Sequence, residues 1–119
     1  MTVRRMKTYT GEMGFVYQYY FVGKRAALPG DPDAPATEFI FDVTSNRKTM
    51  VSSSVLVKPE ALRAWAQAHG RELTEAEQYA MAKMRLFRAF DQAADFQQEG
   101  RRLRVDAADV EGLLEGLDL

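Results

Sequence analysis

The first half of the chain alternates between hydrophobic and polar or between two kinds of hydrophobic position. From Phe15 through Tyr17 and Tyr19 to Phe21 an aromatic stands at every second residue, the period of a strand with one buried face. Upstream, Val3 to Thr10 alternates weakly, and Gly11 and Gly14 bracket a short connection, which predicts a hairpin. Thr37 to Ser45 alternates strictly, with Phe39, Phe41 and Val43 on one face and Glu38, Ile40 and Asp42 on the other. Asn46-Arg47-Lys48 reads as the turn after it, and Thr49 to Val57 returns as a further strand. Between the second and third strands, Leu28 to Pro35 holds three of the four prolines of the chain, which blocks ladder bonding and predicts an exposed loop. The expectation for this half is a sheet of about four antiparallel strands in meander order.

At Pro59 the hydrophobic period changes to that of a helix. Pro59 suits a first helical position, Leu62, Trp65, Ala66 and His69 share one stripe, and Gly70 supplies a stop. Thr74 and Glu77 form a capping-box pattern at the start of a longer helix expected to reach about Gln97. Its apolar arc runs through Ala76, Tyr79, Ala80, Leu86, Phe87, Phe90, Ala93 and Ala94. After Gly100 comes the basic stretch Arg101-Arg102-Leu103-Arg104, read as a linker. Asp106 is then placed to cap a last helix with Val110, Leu113, Leu114 and Leu117 on one stripe and with Asp106, Asp109, Glu111, Glu115 and Asp118 as its acids. Strands followed by helices, without βα alternation, predict an α+β domain. The sheet would be packed on one face by a short and a long helix, with an acidic amphipathic helix at the C-terminus. The whole of 1–119 reads as a single domain: 1–58 strand-rich, 59–97 two helices, 98–119 the basic linker and acidic helix.

Composition narrows the function. The chain has 119 residues, 46% hydrophobic and 28% charged, close to an average folded domain and far from a disordered one. Its 16 basic and 17 acidic side chains give no overall field that would attract nucleic acid or an anionic membrane. The absence of cysteine removes disulfides, thiol catalysis and cysteine-based zinc sites, and fits a reducing, cytoplasmic setting. No apolar run approaches the roughly 18 residues a membrane span needs, and Met1 to Thr10 lacks the apolar core of a secretory leader.

Candidate chemistry is sparse. Gly14-Phe15-Val16 coincides with the centre of a strand motif that stacks RNA bases, but the flanking Gly11, Glu12, Met13 and Gln18 do not fit it. His69 is the only histidine, which removes a two-histidine metal site and suits a helix C-terminus instead. Ser52-Ser53-Ser54 lacks a nucleophile elbow, and Asp31 with Asp33 is too few donors for a calcium loop. Lys83 falls within the apolar arc of the long helix. There its stem would lie over apolar surface with the ammonium at the edge, the alternative being a desolvated amine that acts chemically. No cofactor is implied.

If Phe15, Tyr17, Tyr19 and Phe21 face the helices, then Val16, Gln18, Tyr20 and Val22, joined by Ile40 and Leu56, point to the far side of the sheet. Val16, Tyr20, Val22 and Ile40 are therefore the candidate interface, covered either by a second protomer or by the last helix. The expected function is non-enzymatic: protein–protein association, with a homodimer as the first expectation and the acidic helix at the periphery near Arg101, Arg102 and Arg104. Two alternatives are a nucleic-acid-binding module that uses the basic loops and a small-ligand-binding or enzymatic domain around Lys83.

Overall fold

The computed structural model describes residues 5–117. Val3 and Asp118, assigned above to the first strand and the acidic tail, lie outside them. Four strands, β1 (Lys7–Thr10), β2 (Val16–Ala26), β3 (Thr37–Thr44) and β4 (Val51–Val57), run antiparallel in sequence order, as the alternation predicts. The β3–β4 turn is built by its own side chains. Thr44 Oγ1 accepts from the Arg47 N–H, and Asn46 Oδ1 accepts from the N–H groups of Lys48 and Thr49.

A fifth strand, β5 (Arg102–Val105), pairs parallel to β4 where a basic linker is expected. The sheet is therefore mixed and not a pure antiparallel meander. Its signal is short: Leu103 and Val105 turn inward and are buried, while Arg102 and Arg104 turn outward. A parallel neighbour needs a crossover connection, and three helices supply it. They are α1 (Pro59–His69), α2 (Glu75–Gln92) and the single turn α3 (Phe96–Glu99).

The long helix stops five residues before Gln97. Ala93 leaves the helical region at ψ 127°, and Phe96 then turns into the core, 5.0 Å from Phe90 and 5.4 Å from Tyr17 between ring centroids. A continued helix would carry Phe96 about 120° around the axis from Phe90. Burial of one aromatic thus ends the helix. The capping box at its start forms as expected: Thr74 Oγ1 accepts from Glu77 N–H, and Glu77 Oε1 accepts from Thr74 N–H.

All packing of helix on sheet occurs on one side. Tyr17 stacks on Phe90 at 4.3 Å and Tyr9 on Phe87 at 4.3 Å, while Tyr19 meets Phe87 edge-on. Phe39, Phe41 and Phe90 are fully buried. Of the four alternating aromatics only Tyr17 and Tyr19 are core residues. Phe15 precedes the paired part of β2 and is 47% exposed, and Phe21 lies at the margin against Tyr79. Gly11 lets the first hairpin press onto α2, since a Cβ there would stand 2.5 Å from the Phe90 carbonyl oxygen.

The arc of α2 is rotated from the expected one. Met81, Ala82 and Ala89 are buried beside Leu86 and Phe90, while Ala76 and Ala94 are exposed. The reason is that α2 packs on two sides, against the sheet and against the last helix, α4 (Ala107–Leu114). That helix buries Val110, Leu113 and Leu114 against α1 and α2. It is shorter than expected and contains only two acids, Asp109 and Glu111, so it is not the long acidic element the sequence suggests. On α1 the buried positions are Ala61 and Trp65, with Leu62 and Ala66 half-buried and His69 exposed.

The two phenylalanines separate core from surface experimentally. Phe90→Ala should lower unfolding free energy by about 3–5 kcal/mol in chemical denaturation, whereas Phe15→Ala should cost about 1 kcal/mol or less.

Candidate interaction face

The strand register sorts sheet residues between two faces. Away from the helices lie the opposed pairs Thr10–Val16, Thr8–Gln18, Tyr20–Asp42, Asp42–Ser52, Ile40–Ser54 and Glu38–Leu56. Three of the four sequence-predicted interface residues therefore share this outer face. Val16 is 48% exposed, and Tyr20 and Ile40 are half-buried. Val22 differs, because the β2–β3 register passes from Phe21–Phe41 to Gly23–Ile40 and leaves Val22 as the extra residue of a bulge. The neighbour of Ile40 is then Gly23, and a Cβ built on that glycine meets nothing within 4 Å. Ile40 consequently stands beside an open notch.

The face is more polar than a row of valines and a tyrosine suggests. Tyr20 Oη donates to Asp42 Oδ2 at 2.7 Å. Glu38 is buried, and accepts from Ser54 Oγ at 2.6 Å and from Arg25 Nε at 2.9 Å. Burial is the largest single influence on the Glu38 carboxyl and raises its pKa. The bonds from Ser54 and Arg25, with the charge of Arg25, outweigh it, so the net direction is down. These groups were legible in the strict alternation of β3, which puts Glu38 and Asp42 in the same row as Ile40.

One end of the face is closed by the chain itself. Leu56 belongs to the outer row yet is fully buried. The proline-rich loop is pinned over this end. Lys58 Nζ donates to the Asp33 carbonyl at 2.7 Å, Arg104 Nε to Asp33 Oδ1 at 2.6 Å, and Arg102 to Asp33 Oδ2 at 2.6 Å and Asp31 Oδ1 at 2.8 Å. The partners of Arg102 and Arg104 are thus loop carboxylates and not the acidic tail. From β5 they reach out of the sheet plane to the loop, whereas α4 lies on the helical side. The tail acids bond elsewhere, Asp109 with Arg88 and Glu111 with His69.

The remaining candidates lie apart from this face. At the end of α1, His69 stacks on Trp65 at 4.3 Å and its Nε2 lies 2.6 Å from Glu111 Oε1. Together with Arg71, Leu114 and Leu117 these residues line a cleft of about 520 Å³. Arg71 covers the Trp65 ring at 4.9 Å and forms two bonds to the Glu77 carboxylate. The cationic and imidazole groups of the cleft are thus engaged in joining α1, α2 and α4. Ser53 donates to the Gly100 carbonyl in the interior, and Ser54 is committed to Glu38. Lys83 is half-buried on α2 between Tyr79 and Phe87, with Nζ 5.8 and 5.9 Å from their ring centroids. Among the described residues no group of three or more histidine or acidic side chains could hold a metal ion. Nor, among the described residues, is any helix long and apolar enough to cross a membrane.

No family model, curated protein or solved structure matches the chain.

Arg104 first, and Arg102 with it, hold the Asp33 carboxyl at about 2 against an ordinary 3.8. A depressed carboxyl stabilises the fold above its unfolded pKa and ceases to do so as pH falls through its folded one. Asp33→Asn should therefore be less stable than the parent at neutral pH. In denaturation curves recorded between about pH 5 and pH 2, the difference should shrink steadily from near pH 4 downward. A difference that stays constant over this range would contradict the pinned loop.

Proposed function

We propose that the protein is a non-enzymatic association module that pairs with a second copy of itself through the outer face of β1–β3. The observation that carries this reading is the one-sided distribution of helices. Every helix that packs on the sheet does so from the side of Tyr17, Phe41 and Val55, while Val16 and Ile40 stand on the other side with no element of the described chain over them. The closed end of that face, over Leu56, lies beyond them.

A second copy is favoured as occupant by the charge of this surface. Across a two-fold axis the same patch meets itself, so any uncompensated charge faces its like. The middle of the face consists of Thr8, Thr10, Val16, Gln18, Ile40 and Ser52, all uncharged, and its one acid, Asp42, already receives the Tyr20 hydroxyl. Apart from the Asp42 carboxylate, which the neutral Tyr20 hydroxyl does not compensate, such a surface meets itself without a charge penalty. The nucleic-acid reading draws less support, because Arg25, Arg102 and Arg104 are each bound to carboxylates. A cytoplasmic location remains the setting proposed for a chain without cysteine.

Light scattering at about 100 μM, above the dissociation constant expected of a standard-sized interface, should report a dimer. Val16→Glu, at a half-exposed position opposite Thr10, should leave the circular dichroism spectrum unchanged and shift the protein to monomer, since pairing would desolvate the new carboxylate. A monomeric parent at that concentration, or a variant that remains dimeric, would overturn the reading.

A further inference from the structure

Three cations gather at the opposite margin of the aromatic core, on the helical side. Lys7 stands on the inner row of β1 opposite Tyr19, and Lys83 on α2 lies over the Tyr79 and Phe87 rings, near enough to Lys7 for the two charges to interact. Arg5, Lys7, Tyr19, Tyr20, Phe21 and Tyr79 line a recess of about 200 Å³ beside them. Elsewhere on the surface Arg25, Arg71, Arg88, Arg102 and Arg104 are paired with carboxylates and Lys24 lies 3.4 Å from Glu75, whereas Arg47, Lys48, Lys58, Arg63, Arg85 and Arg101 have no such partner among the described residues. Among the described residues, no such ion pair involves Arg5, Lys7 or Lys83.

Bringing two ammonium groups together beside low-dielectric aromatic walls is electrostatically unfavourable unless an anion stands between them. Burial depresses the Lys83 pKa first, and the nearby Lys7 adds to the effect, which is the expected signature of such a pair. The Tyr19 hydroxyl, pushed up by burial, remains protonated and so remains a donor. The walls of the recess are flat rings: Phe21 meets Tyr79 edge-on at 4.9 Å, and Tyr19 borders the same space. Cationic donors at the rim and aromatic faces along the side complement a flat ring that carries a negative group.

We propose that this recess between β1, β2 and α2 binds a small aromatic carboxylate, its oxygens bridging Lys7 and Lys83 and its ring against Tyr19, Phe21 and Tyr79. The groups placed against the ligand lie on the helical side of the sheet, and the lining shares Tyr20 alone with the outer face. It gives Lys83 a binding role in place of a chemical one.

Benzoate is a suitable probe, titrated into the full chain while amide resonances are followed by NMR. A dissociation constant on the order of 0.1–1 mM is expected for so small a ligand, with the largest shifts at Lys7, Tyr19, Tyr79 and Lys83. Lys83→Met keeps the apolar stem and should remain folded while weakening benzoate at least tenfold; Lys7→Met should do the same. Lys48→Met, in the β3–β4 turn, should leave it unchanged. Benzamide, with the same ring and no charge, should bind at least tenfold more weakly than benzoate. The proposal is overturned if benzamide binds equally well, if inorganic phosphate binds as tightly as benzoate with the same shifts, or if folded Lys83→Met and Lys7→Met variants retain full affinity.

Discussion

The stacking of two tyrosines on two phenylalanines sets the geometry of the whole molecule. Tyr9 and Tyr17 are cross-strand neighbours on β1 and β2, and they lie flat against Phe87 and Phe90 of α2 at 4.3 Å. Near-parallel rings at this distance fix both the height and the rotation of the helix over the sheet. Several features follow from that placement. Gly11 must be a glycine because the hairpin turn is drawn to within contact of the Phe90 carbonyl. Phe96 must fold back to complete the same cluster, which ends α2 and starts the path to β5. Once β5 is laid parallel to β4, α4 descends on the helical side and buries its leucines against α1 and α2.

With every helix committed to one side, the other face of the sheet is left to manage its own polarity. It does so differently at its two ends. At the β4–β5 end, Asp33 draws Arg102, Arg104 and the Lys58 ammonium together, and the proline-rich loop is held over Leu56. At the β1–β3 end nothing in the described chain performs that role, and Val16 and Ile40 stand opposite the neutral Thr10 and Ser54. Buried Glu38, satisfied by Ser54 and Arg25, lies between the two regimes. This asymmetry is the physical basis for proposing association through the β1–β3 half.

Much of the architecture was legible in the sequence because period and punctuation agree there. The strict alternation of β3, the proline at the start of α1, the αL glycine at Gly70 and the capping box of Thr74 and Glu77 all appear where they were expected. The parts that escaped depend on partners distant in sequence. A four-residue alternation with two arginines is indistinguishable from a basic linker until Asp31 and Asp33, some 70 residues earlier, neutralise it. The end of α2 is set by the burial of Phe96 and not by a breaker. The bulge that takes Val22 out of line with Ile40 carries only the weak signal of Gly23. At the candidate sites, Lys83 was singled out by its place in an apolar arc, but Lys7 was not, since only the pairing of β1 with β2 brings the two together.

Solvent accessibility of the outer face, followed as a function of protein concentration, tests the account most directly. An inert paramagnetic chelate added to dilute protein should broaden the methyl resonances of Val16 and Ile40 strongly. In concentrated protein the account predicts that these methyls become shielded, while those of Leu28, in the pinned loop, stay accessible throughout. Equal broadening of Val16 and Ile40 at both concentrations would show that the face stays wet and would contradict its role as the surface of association.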